Sequence, residues 1–255
     1  MARRKAGICP IEDAEGRSVR LRIDELNNVQ PLTPNQKLFF DSYDRGDYLI
    51  MLTGSAGTGK SFIAVTKALQ EVLDKSTSFH KLVIVRSAVQ GRDLGFTPGS
   101  VEEKMSLYEQ PYIQVCSNLF KRHDAYEVLK DQRKIEFIST SFIRGMTFDD
   151  SIIVVDEMQN MTFEELSTIM TRVGHQSKII FCGDYRQTDL IKKSNDRSGL
   201  SKFHQILKMM GSFTNIEFST EDIVRSSLVK EYLIAVERFE SSECVRGNTL
   251  LLEAV

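Results

Sequence analysis

An apolar run, Leu49-Ile50-Met51-Leu52-Thr53, leads straight into Gly54-Ser55-Ala56-Gly57-Thr58-Gly59-Lys60-Ser61. The octet satisfies G-x-x-x-x-G-K-[ST] at every fixed position. Glycines take backbone angles that other residues resist, so the N–H groups of Ser55, Ala56, Gly57, Thr58, Gly59, Lys60, Ser61 and Phe62 can turn inward around a phosphate. Lys60 supplies a mobile positive charge for the outer phosphates, and the Ser61 hydroxyl is placed to ligate Mg²⁺. Phe62-Ile63-Ala64-Val65 opens a helical pattern whose positive end would face the anion. Strand, glycine loop and helix in that order require a parallel α/β framework.

The rest of the chain supplies one. Short apolar runs, mostly β-branched or aromatic, fit strands buried on both faces at Tyr48–Thr53, Leu82–Val85, Ile135–Ile138, Ile152–Val155 and Ile179–Cys182, with a weaker one at Ile216–Phe218. Helical patterns separate them at about 60–74, 102–130, 163–173, 199–210 and 226–240. The alternation predicts a mostly parallel sheet with helices on both faces. Residues 1–30 read as an extended N-terminal arm, 31–240 as the folded domain and 241–255 as a C-terminal tail.

Composition excludes several classes. The 33 Lys and Arg against 35 Asp and Glu leave a net charge of −2, so the chain is not a polycation built for nucleic acid, although a local basic groove is compatible with it. Cys9, Cys116, Cys182 and Cys244 lie far apart without Cys or His neighbours at ligand spacing, which argues against structural zinc and a disulfide framework. His80, His123, His175 and His204 likewise form no ligand set. No run approaches the ~18 apolar residues of a membrane span. A soluble, cytoplasmic protein with no membrane partner is expected.

Ligands of parallel sheets bind beyond the carboxyl ends of the strands. Ile152–Val155 ends in Asp156-Glu157, which suits a Mg²⁺-holding carboxylate followed by a general base for an attacking water. Two apolar strands, Leu82–Val85 and Ile135–Ile138, separate this one from the phosphate-loop strand in sequence, and an intervening strand is expected to lie between them in the sheet. With the adjacent Glu, the arrangement resembles the RecA and helicase division of phosphate-loop NTPases. There is no Asn-Lys-x-Asp motif for guanine, so ATP is the expected nucleotide. Ile179–Cys182 ends in Gly183-Asp184-Tyr185-Arg186-Gln187. Its carboxyl end should lie beside the γ-phosphate, with Gln187 as the sensing side chain and Asp184 in support.

Several segments together resemble the PhoH-like ATPases, a single-RecA-domain group related to superfamily-1 helicases. They are Thr33-Pro34-Asn35-Gln36, the phosphate loop, Val85-Arg86-Ser87-Ala88-Val89, Leu94-Gly95-Phe96-Thr97-Pro98-Gly99 with Glu103-Lys104, and Phe142-Ile143-Arg144-Gly145-Met146-Thr147. Asp156-Glu157-Met158-Gln159-Asn160, Gly183–Leu190 and Asp222-Ile223-Val224-Arg225 complete the set, in family order over about 33–240. The resemblance implies that Gln36 reads adenine and that Arg225 acts as a phosphate-sensing or finger arginine. Short members are frequent in bacteriophages, which would put this one in a host cytoplasm, and some longer relatives carry a PIN ribonuclease domain, for which a 30-residue arm is too short. Ser55 replaces a usual Pro, Ser61 a usual Thr, and Met146 a frequent Arg.

Two functions follow as expectations. One is a Mg²⁺-dependent ATPase that couples hydrolysis to binding or remodelling single-stranded RNA or DNA, with Arg86, Arg92, Phe96 and Lys104 as strand contacts. The other is a nucleotide-gated assembly protein that moves no strand. Strand movement needs two RecA-like faces, and only one phosphate-binding domain fits this length. A homo-oligomer is therefore expected, as a ring with a hexamer as its model, in which Arg225 meets a phosphate in its own subunit or across an interface.

Overall fold

The computed structural model describes residues 20–87, 101–184 and 196–252. Residues 1–19 of the arm, Arg92, Phe96, Gln187 and the side chain of Lys104 lie outside the described residues. Six strands form one sheet: β1 (Leu49–Gly54), β2 (Lys81–Arg86), β3 (Ile135–Ser139), β4 (Ser151–Asp156), β5 (Lys178–Cys182) and β6 (Phe213–Phe218). Their order is β3-β2-β4-β5-β1-β6, and every pairing is parallel. A strand does lie between the phosphate-loop strand and the Asp-Glu strand, but it is β5, which follows both in sequence, and neither of the two that intervene between them in the chain.

Residue parity along the strands divides the interior into two cores, because successive strand side chains point to opposite faces. Ile50, Leu52, Leu82, Ile84, Ile152, Val154 and Ile180 pack on one face against α1 (Pro34–Arg45), α2 (Lys60–Leu73), α3 (Val101–Phe120) and α4 (Ala125–Asp131). Met51, Val83, Val85, Ile153, Val155, Ile179 and Phe181 pack on the other against α5 (Phe163–Met170) and α6 (Asp196–Lys208). Each of these side chains is essentially inaccessible, which stabilises the fold by about 1.5–3 kcal/mol apiece relative to exposure.

The helices depart from the periodicity reading in several places, α6 lying at Asp196–Lys208 where 199–210 was expected. The pattern predicted no helix at 34–45, yet α1 starts at Thr33, whose hydroxyl accepts from the Gln36 N–H at 3.3 Å, and ends at Gly46 in the left-handed region. The helix predicted over 102–130 is two, broken at Lys121, which adopts a φ of +52°. The helix predicted to end at 173 stops at Met170. The last, α7 (Ser227–Leu252), runs on through 240 with no break at the tail boundary. At the other end, residues 21–30 pack on the domain and do not extend from it. Leu21 is buried, and the Asn27 N–H donates to the Leu119 carbonyl at 2.8 Å.

Candidate nucleotide site

The loop between β1 and α2 is seated by the last strand. The Ser55 N–H donates to the Phe218 carbonyl at 3.0 Å. Gly54 has a φ of +105°, and a Cβ there would fall 1.9 Å from the same carbonyl oxygen, so only glycine fits. Beyond β6 the chain returns over the loop. The Val224 N–H donates to the Gly57 carbonyl at 3.0 Å. Arg225 lies with its side chain across Gly57, joined there by Leu233 of α7. The Ser55 hydroxyl donates to Glu237 of α7 at 3.3 Å.

Lys60 is folded into the loop, its ammonium donating to the carbonyls of Gly54 and Ser55 at 2.9 and 2.7 Å. Burial lowers its pKa, opposed by the nearby carboxylates of Asp184, Glu157 and Asp156. The Ser61 hydroxyl donates to Asp156 Oδ1 at 2.5 Å, and the buried Tyr112 hydroxyl of α3 donates to Asp156 Oδ2 at 2.7 Å. Burial and the Asp156 charge together push the Tyr112 phenol well above its usual value, so it stays a donor. Asp156 and Ser61 are hard oxygen donors side by side, a fit to Mg²⁺, which takes one or two protein oxygens and leaves the rest of its shell to phosphates and water. Among the described residues no cluster of three or more His, Cys, Asp or Glu could hold a metal by itself.

Glu157 follows in a left-handed conformation, φ +54°, uncommon outside glycine and a place where backbone strain is held by the surroundings. Burial, then the Asp156 carboxylate, raises its pKa. The buried Gln159 fixes its direction: Gln159 Nε2 donates to Glu157 Oε2 at 2.5 Å, and Gln159 Oε1 accepts from the Asp184 N–H at 3.1 Å. One amide thereby couples the end of β4 to the end of β5.

These groups line one cleft of about 540 Å³. Lys60, Ser61, Asp156, Glu157, Asp184 and Arg225 share it, together with Ala56, Gly57, Thr58, Gly59, Phe62 and Gln36. Gln36 is buried with both ends of its amide engaged: Nε2 donates to the Thr58 carbonyl at 2.9 Å and Oε1 accepts from the Leu32 N–H at 2.8 Å. Arg86 borders the site without lining the cleft: it sits beside Asp156 in the β2–β4 register, its charge opposes the rise in the Glu157 pKa, and its guanidinium lies over the Tyr108 ring at 5.9 Å. Sequence reasoning gave no role to Tyr112, Gln159, Leu233 or Glu237. Gln159 sits inside the Asp-Glu-Met-Gln-Asn segment and was within reach; nothing in the sequence marks Tyr112, which arrives on a helix 44 residues upstream of its partner.

Residues 28–237 match the family model described as PhoH-like protein. The chain belongs to the PhoH-like family. The PhoH-like protein of Bacillus subtilis (strain 168) is 32% identical over 228 residues, covering 89% of this chain and 66% of that protein. The PhoH-like protein of Mycobacterium leprae is 33% identical over 216 residues, covering 84% and 60%. The chain thus spans under two thirds of the length of these relatives. Among solved structures, the large terminase from a thermophilic bacteriophage aligns over 80% of this chain and 50% of its own, at 14% identity and a TM-score of 0.48. The all-parallel sheet with β5 inserted between the phosphate-loop and Asp-Glu strands is that of a RecA-like phosphate-loop NTPase, as PhoH-like membership implies. No helix among the described residues is long and apolar enough to cross a membrane.

Proposed function

We propose that this PhoH-like chain binds ATP with Mg²⁺ and hydrolyses it, and that it works as a homo-oligomer on single-stranded RNA or DNA. The observation that carries the proposal is the convergence of Lys60, Ser61, Asp156 and Glu157 at one end of one cleft. Lys60 leaves the loop carbonyls for the outer phosphates. Ser61 and Asp156 would hold Mg²⁺, which supplies charge neutralisation at the phosphates when bound. Glu157 takes a proton from water as its oxygen bonds to the γ-phosphorus and the bond to the ADP oxygen breaks. A raised pKa brings its conjugate acid nearer to neutrality, the range in which a general base is most effective. Gln187, five residues after β5 in sequence, is proposed to sense the γ-phosphate.

Arg225 is exposed and lies over Gly57 of its own chain, which supports phosphate contact within the subunit. A ring, six copies being a size the RecA-like fold often takes, would then supply the second nucleic-acid face and not the arginine. The decisive experiment is the ATPase rate with and without single-stranded RNA or DNA, alongside mass by light scattering. A parent that hydrolyses no ATP refutes the reading. The gated-assembly alternative is favoured by one observation. Helix α7 touches the phosphate loop through Leu233 and Glu237, and its opposite face carries Leu228, Tyr232 and Phe239, each more than 60% exposed. ATPase activity indifferent to nucleic acid, with nucleotide-dependent mass, would select it.

A further inference from the structure

The cleft has a second wall to which neither the sequence motifs nor the family resemblance gives a role. Pro111, Gln114, Val115 and Asn118 of α3 all line it. Their spacing of three, four and seven residues places them on a single helical stripe. The stripe begins next to Tyr112, which is bonded to Asp156 at the metal end. It ends at Asn118, six residues and about 9 Å further on. There the Asn118 carbonyl accepts from Asn27 Nδ2 at 2.9 Å, which fastens the N-terminal segment to α3. Val29, Gln30 and Leu32 of that segment form the facing wall, and Phe62 lies with them. A molecule with its phosphates at Lys60 and its metal at Asp156 has this slot for its base.

The slot has the composition a purine needs. Val29, Leu32, Val115 and Pro111 offer apolar surface to the two ring faces. Polar groups must then meet the ring edge. Gln36, the residue the resemblance assigns to that task, has both amide ends committed, to Thr58 and to Leu32. Gln30 donates to Asn28 Oδ1 at 3.0 Å. The side-chain amides of Gln114 and Asn118 make no hydrogen bond among the described residues, and both residues are exposed to the cleft. A carboxamide presents one acceptor and two donors, and so can meet the amino group and ring nitrogen of adenine together.

We propose that the Pro111–Asn118 stripe of α3 is the base-reading wall, with Gln114 and Asn118 selecting adenine, and that Gln36 is a positioning residue that ties the facing wall to the phosphate loop. The inference rests on the nucleotide reading above. The test is equilibrium titration calorimetry of Mg-ATP, Mg-GTP and inorganic tripolyphosphate into the full chain. The parent, Gln114→Ala/Asn118→Ala and Gln36→Ala are compared. The double variant should lose about fivefold or more in ATP affinity, the scale of one good amide–adenine pair. Tripolyphosphate should be unchanged, so that the ATP-to-GTP ratio falls toward one. Gln36→Ala should weaken ATP and GTP alike and leave that ratio in place. A double variant that keeps the parental ratio overturns this inference alone, as does a Gln36→Ala protein in which the ratio collapses. A parent that binds tripolyphosphate but no nucleotide better also overturns it, and a parent that binds none of the three overturns the nucleotide reading with it.

Discussion

Replacing Gly54 by Ala separates two costs that are usually confounded. The first is conformational. At φ +105° an L-residue with a Cβ is strained, by about 1–2 kcal/mol on the scale of the left-handed helix. The second is steric, since the added Cβ would sit 1.9 Å from the Phe218 oxygen, where at least 3.0 Å is needed. The obstacle is backbone, so no rotamer relieves it. The strands must part by about an ångström, which breaks the Ser55 N–H to Phe218 bond of 3.0 Å. Leaving that donor buried and unpaired costs about 1–3 kcal/mol more. The sum, about 2–5 kcal/mol, is a large share of a typical domain stability of ~5–15 kcal/mol. Gly46 is the internal control: its φ is +94°, but nothing lies within 4 Å of its Cβ position. Gly46→Ala should therefore show the conformational cost alone. Urea unfolding followed by circular dichroism measures both. If Gly54→Ala is no less stable than Gly46→Ala, the close approach of β6 does not seat the loop, and the reasoning fails.

Four other outcomes are expected. Lys60→Ala should lose tight ATP binding with its unfolding midpoint little changed, because among the described residues the hydrogen bonds of the ammonium go to loop oxygens; calorimetric titration that finds parental affinity would remove the loop from the site. Tyr112→Phe deletes the donor to Asp156 Oδ2, a bond to a charged group worth about 1.5–3 kcal/mol, and should weaken ATP binding in Mg²⁺ more than in EDTA. Glu157→Gln should slow turnover by roughly 10²–10⁴. Because the folded-state pKa of Glu157 is raised, its ionised form destabilises the metal-free, nucleotide-free protein as pH rises from the usual carboxylate range through the raised value. The parent should therefore lose stability across that window while the Gln variant does not, and parallel melting curves for the two would contradict it. Mixing Lys60→Ala with Arg225→Ala should restore no ATPase activity if the arginine serves its own subunit; recovery on mixing would move it across an interface.

The inner strands β1, β2, β4 and β5 were legible because each is an apolar run buried on both faces, a signal independent of tertiary detail; of the two edge strands, β3 is half-buried at Glu136 and Phe137, and β6, with Asn215 and Glu217 exposed, extends three residues before its apolar run. Helix α1 had its signature in plain view, Thr33 before Pro34 and Gly46 after Arg45, but Lys37, Asp41, Asp44 and Arg45 dilute its apolar stripe. The break at Lys121 carries no glycine or proline, so periodicity ran through it. The Lys60–Glu157 end of the cleft was readable because strand ends bring their residues together by topology. The base slot was not, since the α3 stripe and residues 29–32 meet only once α3 has packed on the sheet.

The strand order also has a timetable. β1 pairs with β5 and β6 and not with β2, β3 or β4. During synthesis β2, β3 and β4 can pair among themselves as soon as they emerge, whereas Leu49–Gly54 must wait for Lys178. At about 5–20 residues per second, translation of the intervening ~130 residues takes roughly 6–26 s. Throughout that interval a mostly apolar strand has unpaired edges, the condition in which nascent chains aggregate or recruit chaperones. The phosphate loop leaves the ribosome before β2 to β6 and is among the last parts of the sheet to be set. A nascent chain that stops short of Phe218 lacks the carbonyl that holds the Ser55 N–H.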